Sequence, residues 1–133
     1  MGRIVYEDKN LRLEYVNDGN YIHETWWGIT TNEVFYKLLN IIVDELNKAN
    51  ADGLILDARE HKGLGPEAQE VAAKAIGAYA KKHGKFKEAI IVPKDVFSRF
   101  SVENYAKKVK VDTPVNTRFF DSVEAAEAWQ REK

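Results

Sequence analysis

Hydrophobic and polar positions along the chain divide it into ten segments. Leu11-Arg12-Leu13-Glu14-Tyr15-Val16 alternates, placing Leu11, Leu13 and Tyr15 on one side and Arg12 and Glu14 on the other, as a half-buried strand does. A short β-prone run, Arg3 to Glu7, precedes it. Asn17-Asp18-Gly19-Asn20 follows it, and Asp-Gly predicts a tight two-residue hairpin turn into a third strand, Tyr21 to Trp27. Thr30 and Glu33 have the spacing of a capping box, in which two side chains satisfy free backbone N–H groups at a helix start. Val34, Phe35, Leu38, Leu39, Ile42, Val43 and Leu46 then recur at helical spacing, and the helix is expected to run to about Ala49.

The second half alternates strands with helices. Gly53 to Ala58 is a continuous apolar run ending in an acid and suits a strand buried on both faces. Glu60 to Gly65 reads as a flexible loop. Pro66 opens a helix, with Val71, Ala72, Ala75, Ile76 and Tyr79 as its buried face and Gly84 as its stop. Glu88 to Val92 is a second buried strand closed by Pro93. Asp95 to Val109 is one helix or two short ones. Asn116 to Phe120 is an edge strand. Asp121 with Glu124 predicts a cap for a last helix to about Arg131, with Val123, Ala126 and Trp129 facing inward. The expectation is a single α/β domain over residues 1–133. Its mixed sheet has about six strands and about four helices, in the order β-β-β-α-β-α-β-α-β-α, with the later strands parallel through right-handed crossovers.

Composition narrows the function classes. The 133 residues hold 44% hydrophobic and 31% charged side chains, the profile of an ordinary globular domain. A net charge of −1 supplies no field to draw nucleic acid or an anionic membrane, so neither nucleic-acid binding nor stable membrane insertion is expected. Lysines concentrate from Lys81 to Lys110, and Glu7 to Glu60 leans acidic. Cysteine is absent, which removes disulfides and thiolate chemistry and fits a reducing compartment. With no apolar signal segment after Met1 and no long apolar run, the expected location is the cytoplasm.

Three pieces of sequence carry a family resemblance. They are Gly53-Leu54-Ile55-Leu56-Asp57-Ala58-Arg59, then Ile91-Val92-Pro93-Lys94-Asp95-Val96-Phe97 with Ser101-Val102-Glu103-Asn104, and Arg118-Phe119-Phe120-Asp121-Ser122 leading into Glu124 to Trp129. With the element order, they resemble the SpoIIAA-like family of small bacterial proteins with a STAS-like fold. The resemblance implies non-catalytic protein interaction or regulation, with a lipid-binding or small-molecule carrier role as the alternative. Phospho-regulated STAS antagonists carry a Ser or Thr after the central strand. Here the stretch from Asp57 to Pro66 holds no hydroxyl side chain, so a phospho-switch of that kind is not expected.

Ligands of open α/β sheets favour the carboxyl ends of the parallel strands. That rim should hold Asp57, Arg59, His61, Lys62 and Lys94, the candidate residues for a partner or ligand. Asp57 is expected to order its loop with Arg59 as ion-pair partner. Asp57 and His61 would be the acid and base of a less favoured hydrolytic enzyme. Gly63 and Gly65 precede a helix but lack the residues of a phosphate loop. His23, His61 and His83 have no metal-binding spacing, so no metal or cofactor is expected. Trp26 and Trp27 must face opposite ways on their strand. Trp27 with Tyr21 and His23 would then form an aromatic stripe on the open side of the sheet, suited to homodimerisation or an apolar ligand. Phe97, Phe100 and Tyr105 could shape an apolar pocket beside the sheet, with Lys107, Lys108 and Lys110 near an anionic head group.

Overall fold

A computed structural model describes residues 2–132. Its elements are β1 (Gly2–Glu7), β2 (Leu11–Val16), β3 (Tyr21–Gly28), α1 (Asn32–Ala49), β4 (Gly53–His61), α2 (Pro66–His83), β5 (Phe86–Ile91), α3 (Val96–Val109), β6 (Val115–Phe120) and α4 (Val123–Arg131). The six strands form one sheet in sequential order. β1, β2 and β3 pair antiparallel, and β3 to β6 pair parallel. Architecture and element order therefore agree with the expectation from the sequence.

Sequential parallel strands joined by connections of one hand carry their helices to one face. The main core obeys this. Leu38, Ile42 and Leu46 of α1, Ala72 and Ile76 of α2, and Val102 and Val109 of α3 pack on Leu13, Ile22, Leu54 and Ile90 of the sheet. α4 has no following strand to reach and folds onto the opposite face. There Ala126 and Trp129 pack with Tyr21, Ile55, Ala89 and Ile91. Gln130 anchors α4: its Nε2 donates to the Leu54 carbonyl at 2.7 Å and to the Lys87 carbonyl at 3.3 Å. The approach is close enough that a Cβ on Gly53 would sit 2.5 Å from the Lys87 carbonyl oxygen and collide with Gln130.

Several local expectations shift by a residue or two. Val16 pairs with Tyr21, so four residues rather than two link β2 and β3, and Gly19 takes a φ of 103° at the turn. The α1 cap is Thr31, whose hydroxyl accepts from the Val34 N–H at 3.2 Å, not Thr30. Val34, expected on the buried face of α1, is exposed. Ser122, not Asp121, caps α4, accepting from the Ala125 N–H at 3.2 Å. α3 is a single helix capped by Asp95. Val71, expected to be buried, is exposed. His83 bonds Asp52 at 2.7 Å and stacks on Tyr79 at the far end of α2.

Candidate functional site

Because α4 spans only nine residues and packs over β4, β5 and β6, the other half of its face stays open. The result is a groove of about 1060 Å³. Arg12, Glu14, His23, Thr25, Trp27, Asp57 and Arg59 form its floor, and Val123, Glu124, Glu127 and Arg131 of α4 form one wall. Lys94 and Asp95, after β5, close the end at the carboxyl ends of the parallel strands. The groove thus brings together two sets of residues that the sequence presents as separate. The rim residues Asp57, Arg59 and Lys94 and the strand residues Tyr21, His23 and Trp27 all line it.

Asp57 is buried, and its carboxylate is held within its own strand. Arg59 Nε donates to Oδ1 at 2.9 Å, Nη2 to Oδ2 at 2.8 Å, and the Arg59 backbone N–H to Oδ1 at 3.3 Å. This two-toothed pairing fixes the planes of both groups. It holds the guanidinium in its charged form by raising the Arg59 pKa, chiefly through the hydrogen bond to Asp57. Arg12 lies over the Trp27 ring with its guanidinium carbon 5.6 Å from the ring centre.

Three buried polar atoms in this groove have no hydrogen-bond partner: Arg12 Nε, Tyr21 OH and His23 Nε2. Burial pushes the Tyr21 hydroxyl up to about 12, with the Glu127 charge adding to the effect. Burial also lowers the His23 pKa, against the opposing pull of Asp57, so its imidazole is held toward the neutral form. Tyr21 departs from the expected open stripe. It is fully buried because α4 lies over that end of β3, and it belongs to the small core with Trp129. His23 and Trp27, farther along the strand, are half-buried.

His61 is where the structure overturns the expected grouping. The sequence sets it in the loop Glu60 to Gly65, at one rim with Asp57 and Arg59, but β4 continues through it. Pairing of β3 with β4 slips between Thr25/Asp57 and Trp27/Glu60, a bulge of one extra residue on β4. Strict alternation would have put Asp57, Arg59 and His61 on one face. A one-residue bulge reverses the facing of everything after it. Arg59 and Glu60 therefore stay on the groove side, and His61 turns to the helix side, where its ring lies 5.2 Å from that of Trp26. Asp57 and His61 do not form an acid–base pair, since the sheet separates them. Lys62 is exposed beyond the strand end and does not line the groove.

On the helix side, His61 joins groups that sequence reading passed over. Glu24, Trp26 and Glu88 project from the sheet toward α3, with Tyr105 above them, around a cavity of about 50 Å³. Parity carried the signal. Glu24 shares the facing of Ile22 and Trp26, and Glu88 that of Phe86 and Ile90, all core positions. Phe97 and Phe100, candidates with Tyr105 for an apolar pocket or for core packing, are instead exposed on α3; of the three, Tyr105 alone reaches the cavity. The space is far below the roughly 300 Å³ of a small-molecule pocket, let alone a lipid site.

The site thus defines an open-faced mixed α/β sheet protein with a polar groove. No family model and no curated protein sequence matches the chain. Among the described residues, no helix is long and apolar enough to cross a membrane, and no acidic or histidine cluster could hold a metal ion.

Proposed function

We propose that the protein is a non-catalytic regulatory module of the SpoIIAA-like kind, which binds a segment of a partner protein in the groove over β2, β3 and β4. The observation that carries this reading is the His23 imidazole on the groove floor, whose Nε2 has no hydrogen-bond partner, beside the fixed Asp57–Arg59 pair. A buried polar atom without a partner costs on the order of 1–3 kcal/mol, which a bound chain's own donors and acceptors would recover. Signs of charge are mixed, with Arg12, Arg59, Lys94 and Arg131 facing Glu14, Glu60, Glu124 and Glu127. That suits a polypeptide better than a nucleic acid, whose phosphates call for one sign. Its volume also lies at the upper edge of small-molecule sites and is open along one side, which favours an extended segment.

Affinity capture from extract of the source cells, quantified by mass spectrometry for the wild type and for Asp57→Ala, Arg59→Ala and His23→Ala, tests the reading. A partner lost by the variants while their circular dichroism is unchanged supports it. Partners retained equally by all three count against it. A second copy of the chain is one occupant this reading includes, and sedimentation of the same variants reports on it.

A further inference from the structure

The cavity beneath α3 has a different chemistry from the groove. Two carboxyl groups enter it from strands β3 and β5, and no lysine or arginine lines it. Glu24 Oε1 accepts from the Trp26 indole N–H at 2.7 Å. The Tyr105 hydroxyl lies 3.1 and 2.9 Å from the two oxygens of Glu88. Those neutral donors are the only side-chain hydrogen bonds to either acid among the described residues. A pair of acids taken out of water with no cation beside them is an expensive arrangement. His61 adds a second, independent observation. It is 7% exposed, lines the same space, and its Nε2 has no partner.

The walls suit one chemical class. Trp26, Phe35 and Tyr105 present aromatic rings, and Leu39, Ile42 and Ile76 present aliphatic surface. Aromatic faces and carboxylates together attract an ammonium group, and an apolar wall accepts an alkyl stem. About 50 Å³ exceeds the minimum for one water but excludes a bulky ligand. We propose that this cavity binds a very small primary ammonium ion, of methylammonium size, its head group between Glu24 and Glu88 and its methyl against the α1 and α2 side chains.

Protons balance simply. The amine is a cation in solution; burial holds the Glu88 carboxyl toward its protonated form, and beside the cation it ionises and releases its proton to solvent. The titratable groups facing the cavity are Glu24 of β3, His61 of β4, Glu88 of β5 and Tyr105 of α3; α1 and α2 contribute only apolar residues.

The test is a titration of the intact protein with methylammonium chloride at pH about 7, with methanol as the uncharged control. Resonance of the Trp26 indole N–H follows occupancy, and calorimetry in two buffers of different ionisation heat counts released protons. The expected result is a saturable shift with the amine, little with the alcohol, net proton release, and binding weakened at least about tenfold in Glu88→Gln. Arg59→Ala, which alters the groove alone, should bind the amine as the wild type does. No saturable shift, equal binding of methanol, binding without proton release, or undiminished binding by Glu88→Gln each overturns the proposal. Should Glu88→Gln fail to fold, Glu24→Gln and the wild-type comparison of amine with alcohol decide it.

Discussion

Arg59 turns back on Asp57, two residues before it, and grips both carboxylate oxygens at 2.9 and 2.8 Å from the same strand. The pair is asymmetric in exposure: the Asp57 side chain is 7% exposed and that of Arg59 is 42% exposed. Replacing Arg59 with Ala strips a buried carboxylate of its cation but leaves a backbone N–H donor in place. Water can reach the vacated side. The expected cost is therefore small, about 1 kcal/mol in urea denaturation. Partner capture should fall far more than stability does.

Burial raises the carboxyl of Glu24 to about 7, against the Trp26 hydrogen bond, and that of Glu88 to about 8, with the Glu24 charge adding to burial. An acid with a raised folded pKa leaves the unfolded chain ionised first. Stability is then greatest at low pH and declines from about 4.5, the ordinary value, up to the folded value. His61, depressed by burial to about 4 from 6.5, works the other way and adds stability as pH rises through that interval. Above pH 6.5 its contribution is complete. The urea midpoint should accordingly fall between about pH 6.5 and 8, by up to about 1 kcal/mol per pH unit for each acid still titrating. Glu88→Gln should flatten the upper part of that slope. A midpoint that rises over this range in the wild type would contradict the burial of these acids.

Gly53→Ala should loosen α4. The added methyl meets the Lys87 carbonyl and the Gln130 side chain that ties the helix to the sheet. Overpacking of this kind costs about 1–3 kcal/mol. Trp129, buried against Phe120 with ring centres 5.6 Å apart, supplies the readout. Its fluorescence should shift toward that of a solvated indole. Gln130→Ala should produce the same spectral change without the steric clash.

Ser101 holds the loop between β4 and α2. Its hydroxyl accepts from the Leu64 N–H at 2.9 Å and donates to the Leu64 carbonyl at 3.0 Å, and Gln69 Nε2 donates to that carbonyl at 2.8 Å. Ser101→Ala removes two of these three bonds, for an expected loss of about 1–3 kcal/mol. Amide exchange of residues 62–65 should quicken by more than that of the β5 amides, as local opening is favoured over global unfolding.

The sheet and its four helices could be read from periodicity because strand and helix repeats differ and the breakers, Pro66, Gly84 and Asp95, stand at their proper ends. Asp57, Arg59 and Lys94 could be placed at one rim because the carboxyl ends of parallel strands converge there. Two things were not legible. The bulge in β4 leaves no mark in composition, and it is what sends His61 through to the other face. The extent of α4 was legible, but not that it would lie over Tyr21 and leave Trp27 clear, because the crossing of a terminal helix is set by tertiary anchors such as Gln130. Glu24 and Glu88 could have been found by parity alone. Charged residues in phase with a core stripe mark either a mis-assigned strand or a buried acid.

The extra residue in β4 has a further consequence. Within the five positions from Asp57 to His61, one backbone carries charged groups for the groove and an imidazole for the cavity beneath α3, on opposite faces of the sheet. Removing the extra residue would return His61 to the groove side and leave the cavity without its imidazole.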